Sequence, residues 1–162
     1  MVRQERNLVI EILDKNNVLS IQHIQKNCDE SIWSASSLFH LLDKGSGYGY
    51  ILKRFNNYIG YILIRSLDYE EEVLSLGVLK SNRRQGIASK LFYEFEKGAI
   101  RNNVQRIILE VRVENYPAIC FYEFLGLKKI KVLKGYYKLI RDTKMVCYYQ
   151  KFIFDDYKLF LS

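Results

Sequence analysis

The chain switches repeatedly between two hydrophobic periods. Asn7 to Leu13 (NLVIEIL) is apolar and branched, which predicts a first strand. Asn17 to Asn27 carries Leu19, Ile21 and Ile24 at loose helical spacing, and Trp33 to Leu42 (WSASSLFHLL) reads as a second short helix ending before GSGYG. The runs YGYILKRF (48–55) and YIGYILIRS (58–66) flank Asn56-Asn57, a pair suited to a turn with positive φ, so a hairpin is expected there. Glu72 to Leu79 makes a fourth strand. The period then changes: Ile87, Leu91 and Phe95 fall four apart, with Lys90, Glu94 and Lys97 elsewhere, an amphipathic helix to about Gly98. Arg106 to Val113 (RIILEVRV) returns to strand. Tyr116 to Leu125 is a helix with Pro117 in its first turn and Gly126 placed to end it. Lys128 to Leu133 and Lys144 to Phe154 supply two more strands. The fold class is α/β (α+β): about four helices flanking a mixed, mostly antiparallel seven-stranded sheet. Strand–helix–strand around residues 72 to 113 implies one parallel pair within it.

Composition adds bounds. At 162 residues with a single proline and no low-complexity stretch or repeat, the chain fits one domain, residues 1–162, with a proper core. No apolar run approaches a bilayer span, and the N-terminus lacks a signal-peptide hydrophobic block, so no membrane contact and a cytoplasmic location are expected. Cys28, Cys120 and Cys147 are odd in number and lack metal-ligand spacing, as do His23 and His40; a reducing compartment and no metal follow. The net charge of +7 is concentrated. From Gly126 to Lys151, eight Lys/Arg face one acid, Asp142, while the rest of the chain is neutral. Such a face attracts phosphate-bearing partners, ribosomal RNA among them, or serves only as a solvated surface.

The junction RRQGIA (83–88) concentrates the chemistry. A helix opens with N–H groups that have no intrahelical partner and with the positive end of the macrodipole, so an anion settles there. Gly86 lets the backbone approach without a Cβ, Ala88 is small, and Arg83 and Arg84 add charge at the rim. The stretch looks like a cradle for a diphosphate, although neither a Walker loop nor the three-glycine dinucleotide spacing is present. Alone the pattern is weak, and a plain strand-to-helix turn capped by polar residues explains it better.

Its company changes the weighing. Leu76-Gly77-Val78 before RRQGIA, then Leu109-Glu110-Val111-Arg112, then Asn115, Ala118-Ile119, Tyr122-Glu123 and Leu125-Gly126 together resemble the GNAT acetyltransferase superfamily, most closely its RimI-type ribosomal-protein alanine N-acetyltransferases. The resemblance is strongest over about 73 to 130, and continues faintly through Trp33-Ser34 and Tyr136-Tyr137. It implies a GNAT domain with a splayed parallel pair, and acetyl-CoA as co-substrate. Leu76, Gly77 and Val78 would pair through their backbones with the pantetheine arm. Arg84, Gln85, Gly86, Ile87, Ala88 and Ser89 would hold the diphosphate, and Asn115 would contact the cofactor. Glu110 matches the family's general base and Tyr122 its general acid. The departures are Ala88 for a second glycine, Gly77 for a larger residue and Leu127 for a phenylalanine.

That chemistry suits the side chains. Attack on a thioester needs a neutral amine; deprotonating a lysine at neutral pH costs about 3.5 kcal/mol more than deprotonating an α-amine. A carboxylate such as Glu110 therefore suffices for an N-terminus, while Tyr122 stays protonated and can donate to a departing thiolate. Each residue has a plainer rival. Glu110 would face solvent on simple alternation, Tyr122 and Cys120 would be packing residues, and Trp33 a core anchor or a substrate wall. The RimI-type acceptor is the N-terminal alanine of a small-subunit ribosomal protein (number eighteen). Glu70-Glu71-Glu72 would draw its basic end, or be a solvated loop. Two alternatives stand beside it: acetylation of lysine, a polyamine or another small amine, and a non-catalytic basic nucleic-acid-binding module.

Overall fold

A computed structural model describes residues 7–28, 32–133 and 146–152. In chain order these form β1 (Leu8–Ile12), a 3-10 turn (Lys15–Asn17), α1 (Val18–Lys26), α2 (Ala35–Asp43), β2 (Gly47–Arg54) and β3 (Asn57–Leu67). Then come β4 (Glu70–Val78), a second 3-10 turn (Lys80–Asn82), α3 (Ile87–Arg101), β5 (Arg106–Arg112), α4 (Tyr116–Phe124), β6 (Lys128–Leu133) and β7 (Val146–Phe152). The mixed sheet expected from the sequence is present, in the order β1-β2-β3-β4-β5-β7-β6. Its parallel pair is β4 with β5, laddered from Glu70↔Arg106 to Val73↔Leu109. Among the described residues no helix is long and apolar enough to cross a membrane.

The described residues fall into two compact units: the chain to Ser66 with Leu74–Asn102, and Leu67–Val73 with the chain from Asn103. In the first unit, alternation along the strands divides the core in two. Ile51, Tyr61 and Leu63 point to one side and pack with Ile21, Ile24, Leu38 and Leu41 of α1 and α2. Asp14 and Ser34 cap the adjoining turn and helix through their side chains. The helix α3 buries Ile87, Leu91, Phe92 and Phe95, each contributing about 2 kcal/mol by removal from water. It runs one turn past the expected stop at Gly98, because that glycine is a contact and not a cap: a Cβ there would lie 2.9 Å from the Tyr50 hydroxyl.

The hairpin between β2 and β3 forms as expected, but its special conformation falls elsewhere. Pairing of Arg54 with Asn57 leaves Phe55 and Asn56 as the two central residues. Phe55 carries the positive φ, 55°, as the first central position of a type II′ turn demands. Asn57 instead opens β3.

In the second unit β7 lies between β5 and β6, antiparallel to both, and pairs Glu110 with Tyr148. α4 ends in a Schellman motif: Leu127 N–H donates to the Tyr122 carbonyl and Gly126 N–H to that of Glu123, with Gly126 at φ 85°. The Tyr149 hydroxyl donates to Glu123 Oε1 at 3.0 Å and Lys151 Nζ to the Leu125 carbonyl at 3.0 Å, tying α4 to β7. The acidic run is no solvated loop. Glu70 is ion-paired with Arg106, and Glu71 is 3% exposed within β4.

Candidate active site

The first unit brings Leu76, Gly77, Val78 and the turn Arg84–Ser89 to the same strand-to-helix connection. α2 and α4 are capped by the side chains of Ser34 and Asn115, whereas neither α1, which continues the first 3-10 turn, nor α3, which opens on Gly86, has a side-chain cap. Gly86 sits at φ 76°, and a Cβ built there would meet nothing within 4 Å, so the approach to the first-turn amides of Ile87, Ala88 and Ser89 is open. Lys90 N–H makes the first intrahelical bond, to the Gly86 carbonyl at 3.0 Å. Arg84 is exposed and holds φ 61°, a left-handed conformation beside the glycine. Gln85 braces the turn by donating to the Ser81 carbonyl at 3.1 Å. Uncapped amides, a macrodipole and an absent Cβ fit a phosphate-bearing ligand.

Arg83 does not join the rim. Its Nε donates to the Val78 carbonyl at 3.2 Å and its Nη2 to the Cys28 carbonyl at 2.7 Å, so it joins the end of α1 to the end of β4. Two backbone carbonyls hold this guanidinium where sequence alone placed it on an anion.

Beneath Leu76–Val78 lies a buried polar chain that sequence reasoning missed. Tyr61 and Ser75 share a hydrogen bond of 2.6 Å between their hydroxyls, and Gln25 Nε2 donates to the Tyr61 hydroxyl at 3.1 Å. Gln25 Oε1 in turn accepts from the Trp33 backbone N–H at 2.9 Å, and Gln22 Nε2 donates to the Trp33 carbonyl at 2.9 Å. Tyr61 and Gln25 are fully buried, and Ser75 is nearly so. The Tyr61 ring also explains Gly77: a Cβ at that position would fall 2.6 Å from Tyr61 Cε1 and 3.2 Å from Cys28 Sγ. The one available signal was Ser75, a polar residue on the inward positions of β4. Trp33 packs against the core cluster of α1 and α2, the anchor reading.

The second unit carries the candidate reacting groups. Glu110 is half-buried on β5, flanked by the buried Leu109 and Val111. Tyr122 is buried on α4, its ring 5.3 Å from that of Phe121. Asn115 Oδ1 accepts from Ala118 N–H at 3.3 Å, so this oxygen caps α4 and its amide nitrogen remains the group able to reach a ligand. Cys120 is exposed, contrary to the packing role expected, because it sits on the outward side of α4. Lys128, Lys129 and Lys131 are exposed on β6. The remainder of the basic stretch over 134–145, with Tyr136 and Tyr137, lies outside the described residues.

Residues 18–127 match the acetyltransferase (GNAT) family model. An N-alpha-acetyltransferase of Saccharolobus solfataricus is 45% identical over 96 residues, 51% of this chain. That match spans only 57% of the relative's own length. Among solved structures, the ribosomal-protein alanine N-acetyltransferase of Escherichia coli superimposes with a TM-score of 0.81 over 90% of this chain and 94% of that one, at 19% identity. NAA60 from Arabidopsis thaliana in complex with acetyl-CoA gives 0.79 over 90% and 98%, at 17% identity. At such identities the likeness is one of fold.

Proposed function

Because the chain belongs to the acetyltransferase (GNAT) family, we propose that it transfers the acetyl group of acetyl-CoA to the α-amine at the N-terminus of a protein, in the cytoplasm. The observation that carries the reading is the uncapped start of α3 directly after β4, with Gly86 leaving its amides open. Arg84, Gln85, Gly86, Ile87, Ala88 and Ser89 hold the diphosphate of the co-substrate, and the backbones of Leu76, Gly77 and Val78 hold its pantetheine arm. The Asn115 amide nitrogen supplies a further contact. The bound co-substrate supplies an activated acyl thioester. The N-alpha-acetyltransferase named among the relatives supports the choice of an α-amine. The preferred acceptor is the N-terminal alanine of a small-subunit ribosomal protein.

Glu110 acts as general base, removing a proton from the attacking ammonium directly or through water. An α-amine with an ordinary pKa near 8 needs little more than a carboxylate for this step. Tyr122 acts as general acid, its phenol giving a proton to the departing sulfur. Its side chain is buried on α4, a helix that the Schellman motif ends and the Tyr149–Glu123 bond ties to β7.

The test is turnover of purified protein with acetyl-CoA and a peptide panel offering N-terminal or internal amines. Acetylation of α-amines, strongest on alanine-initiated peptides, is expected; acetylation confined to lysine refutes the acceptor. Glu110→Gln should lower turnover mainly below the amine's pKa and Tyr122→Phe across the whole pH range. Unchanged rates in both variants remove these residues from the reaction.

A further inference from the structure

A second site lies on the first unit, lined by none of the residues proposed to hold the co-substrate, its Leu79 following directly on Val78. It is a cavity of about 610 Å³ between α1, the β2–β3 turn and the connection that follows β4. That volume falls in the range of small-molecule sites, ~300–1,000 Å³. Among the described residues its polar lining is Ser20, His23, Arg54, Asn56, Asn57, Tyr58 and Asn82, without one carboxylate.

Arg54 gives the cavity its chemistry. It is the last residue of β2, half-buried, and its Nε is fully buried with no hydrogen-bond partner among the described residues. Glu11, the carboxylate of β1, pairs with Ile51 in the register and is engaged by Lys53 Nζ and by the Tyr58 hydroxyl at 3.1 Å. A cationic donor withdrawn from water and left unmatched is destabilising, and an anion on the part of the same guanidinium that lines the cavity would offset that cost.

Phe55 supplies the other half. The turn needs φ above zero at this position, which favours glycine or asparagine, and asparagines follow at 56 and 57. The chain nevertheless places phenylalanine there, at φ 55° and 65% exposed, on the rim of the cavity. Leu19, 76% exposed on α1, also lines it. Two apolar side chains held in water beside an unmatched guanidinium suit a ligand that is itself part anionic and part apolar.

We propose that this cavity binds a small organic anion, its carboxylate or phosphate received by Arg54 and its apolar body resting on Phe55 and Leu19. The assignment stands independently of the acetyl-transfer reading, since none of the co-substrate residues lines the cavity.

Calorimetry on the full chain tests it, with phenyl phosphate and phenylacetate as probes and neutral phenylacetamide as control. Saturating coenzyme A is present throughout, to keep anions off the start of α3. One or both anions should bind and the amide should not; the tighter of the two identifies the head group. Arg54→Gln should weaken binding about tenfold or more, as loss of a charged hydrogen-bond partner does. Ser20→Asp provides a second variant, placing a negative charge in the lining at the first turn of α1, where helices favour it. It should weaken binding similarly. Phe55→Gly keeps the positive φ and removes the ring, and should reduce phenylacetate binding to the level of acetate. Silence from both anions in the unaltered protein, equal binding of the amide, or variants that bind as it does each overturn the proposal.

Discussion

Replacing Gly77 by alanine is the sharpest probe of the packing beneath the proposed cofactor strand. The new Cβ would stand 2.6 Å from Tyr61 Cε1 and 3.2 Å from Cys28 Sγ. The first distance is too short to persist, so either β4 or the ring must move. The ring has no exposed surface and is held by its hydroxyl to Ser75 at 2.6 Å and Gln25 at 3.1 Å. Overpacking of this kind costs about 1–3 kcal/mol. If the ring yields, two buried hydrogen bonds stretch as well, each worth about 1 kcal/mol. A loss near 3 kcal/mol is expected, and at roughly 2–4 °C per kcal/mol for a chain of this size it lowers Tm by about 6–12 °C. Urea denaturation of Gly77→Ala, Tyr61→Leu and the double variant measures the coupling. Tyr61→Leu removes the obstructing ring edge, so the double variant should be more stable than the sum of the single losses allows, by about 1 kcal/mol or more. Strict additivity would show that the ring and the strand do not meet as described.

Two further outcomes test the helix ends. Gly86→Val forces a branched side chain into a left-handed conformation at φ 76°, costing about 1–2 kcal/mol, and should weaken coenzyme A binding in calorimetry; full affinity would remove this turn from the cofactor site. Asn115→Ala deletes the cap of α4 and should cost about 1 kcal/mol by denaturant unfolding, whereas Asn115→Asp keeps the accepting oxygen and should restore that stability.

Element existence was legible in the sequence because the two hydrophobic periods are distinct here. The amphipathic repeat of Ile87, Leu91 and Phe95 led directly to α3, and Pro117 with Gly126 bracketed α4. Boundaries failed where a contact distant in sequence decided them. Gly98 reads as a stop until Tyr50 is seen across from it, and Asn56-Asn57 reads as the turn's strained pair until the register assigns that place to Phe55. The same limit applied to the site. An uncapped helix start with a glycine is a local property, so RRQGIA could be read in advance. The direction of the Arg83 guanidinium, and the chain from Ser75 through Tyr61 to Gln25, depend on pairings across up to 55 positions and leave no local signature.

The position of β7 has a consequence for biosynthesis. The strand bearing Glu110 finds one neighbour early, in the first residues of β4, but its other neighbour comes only with residues 146–152, after α4 and β6. β6 is no better placed, since its ladder also runs to β7. Until residues 146–152 emerge during translation, β5 keeps an open hydrogen-bonding edge, a template for pairing with other chains. Nascent chains halted before Val146 should therefore aggregate, and β7 acts as the closing stave of this half of the sheet.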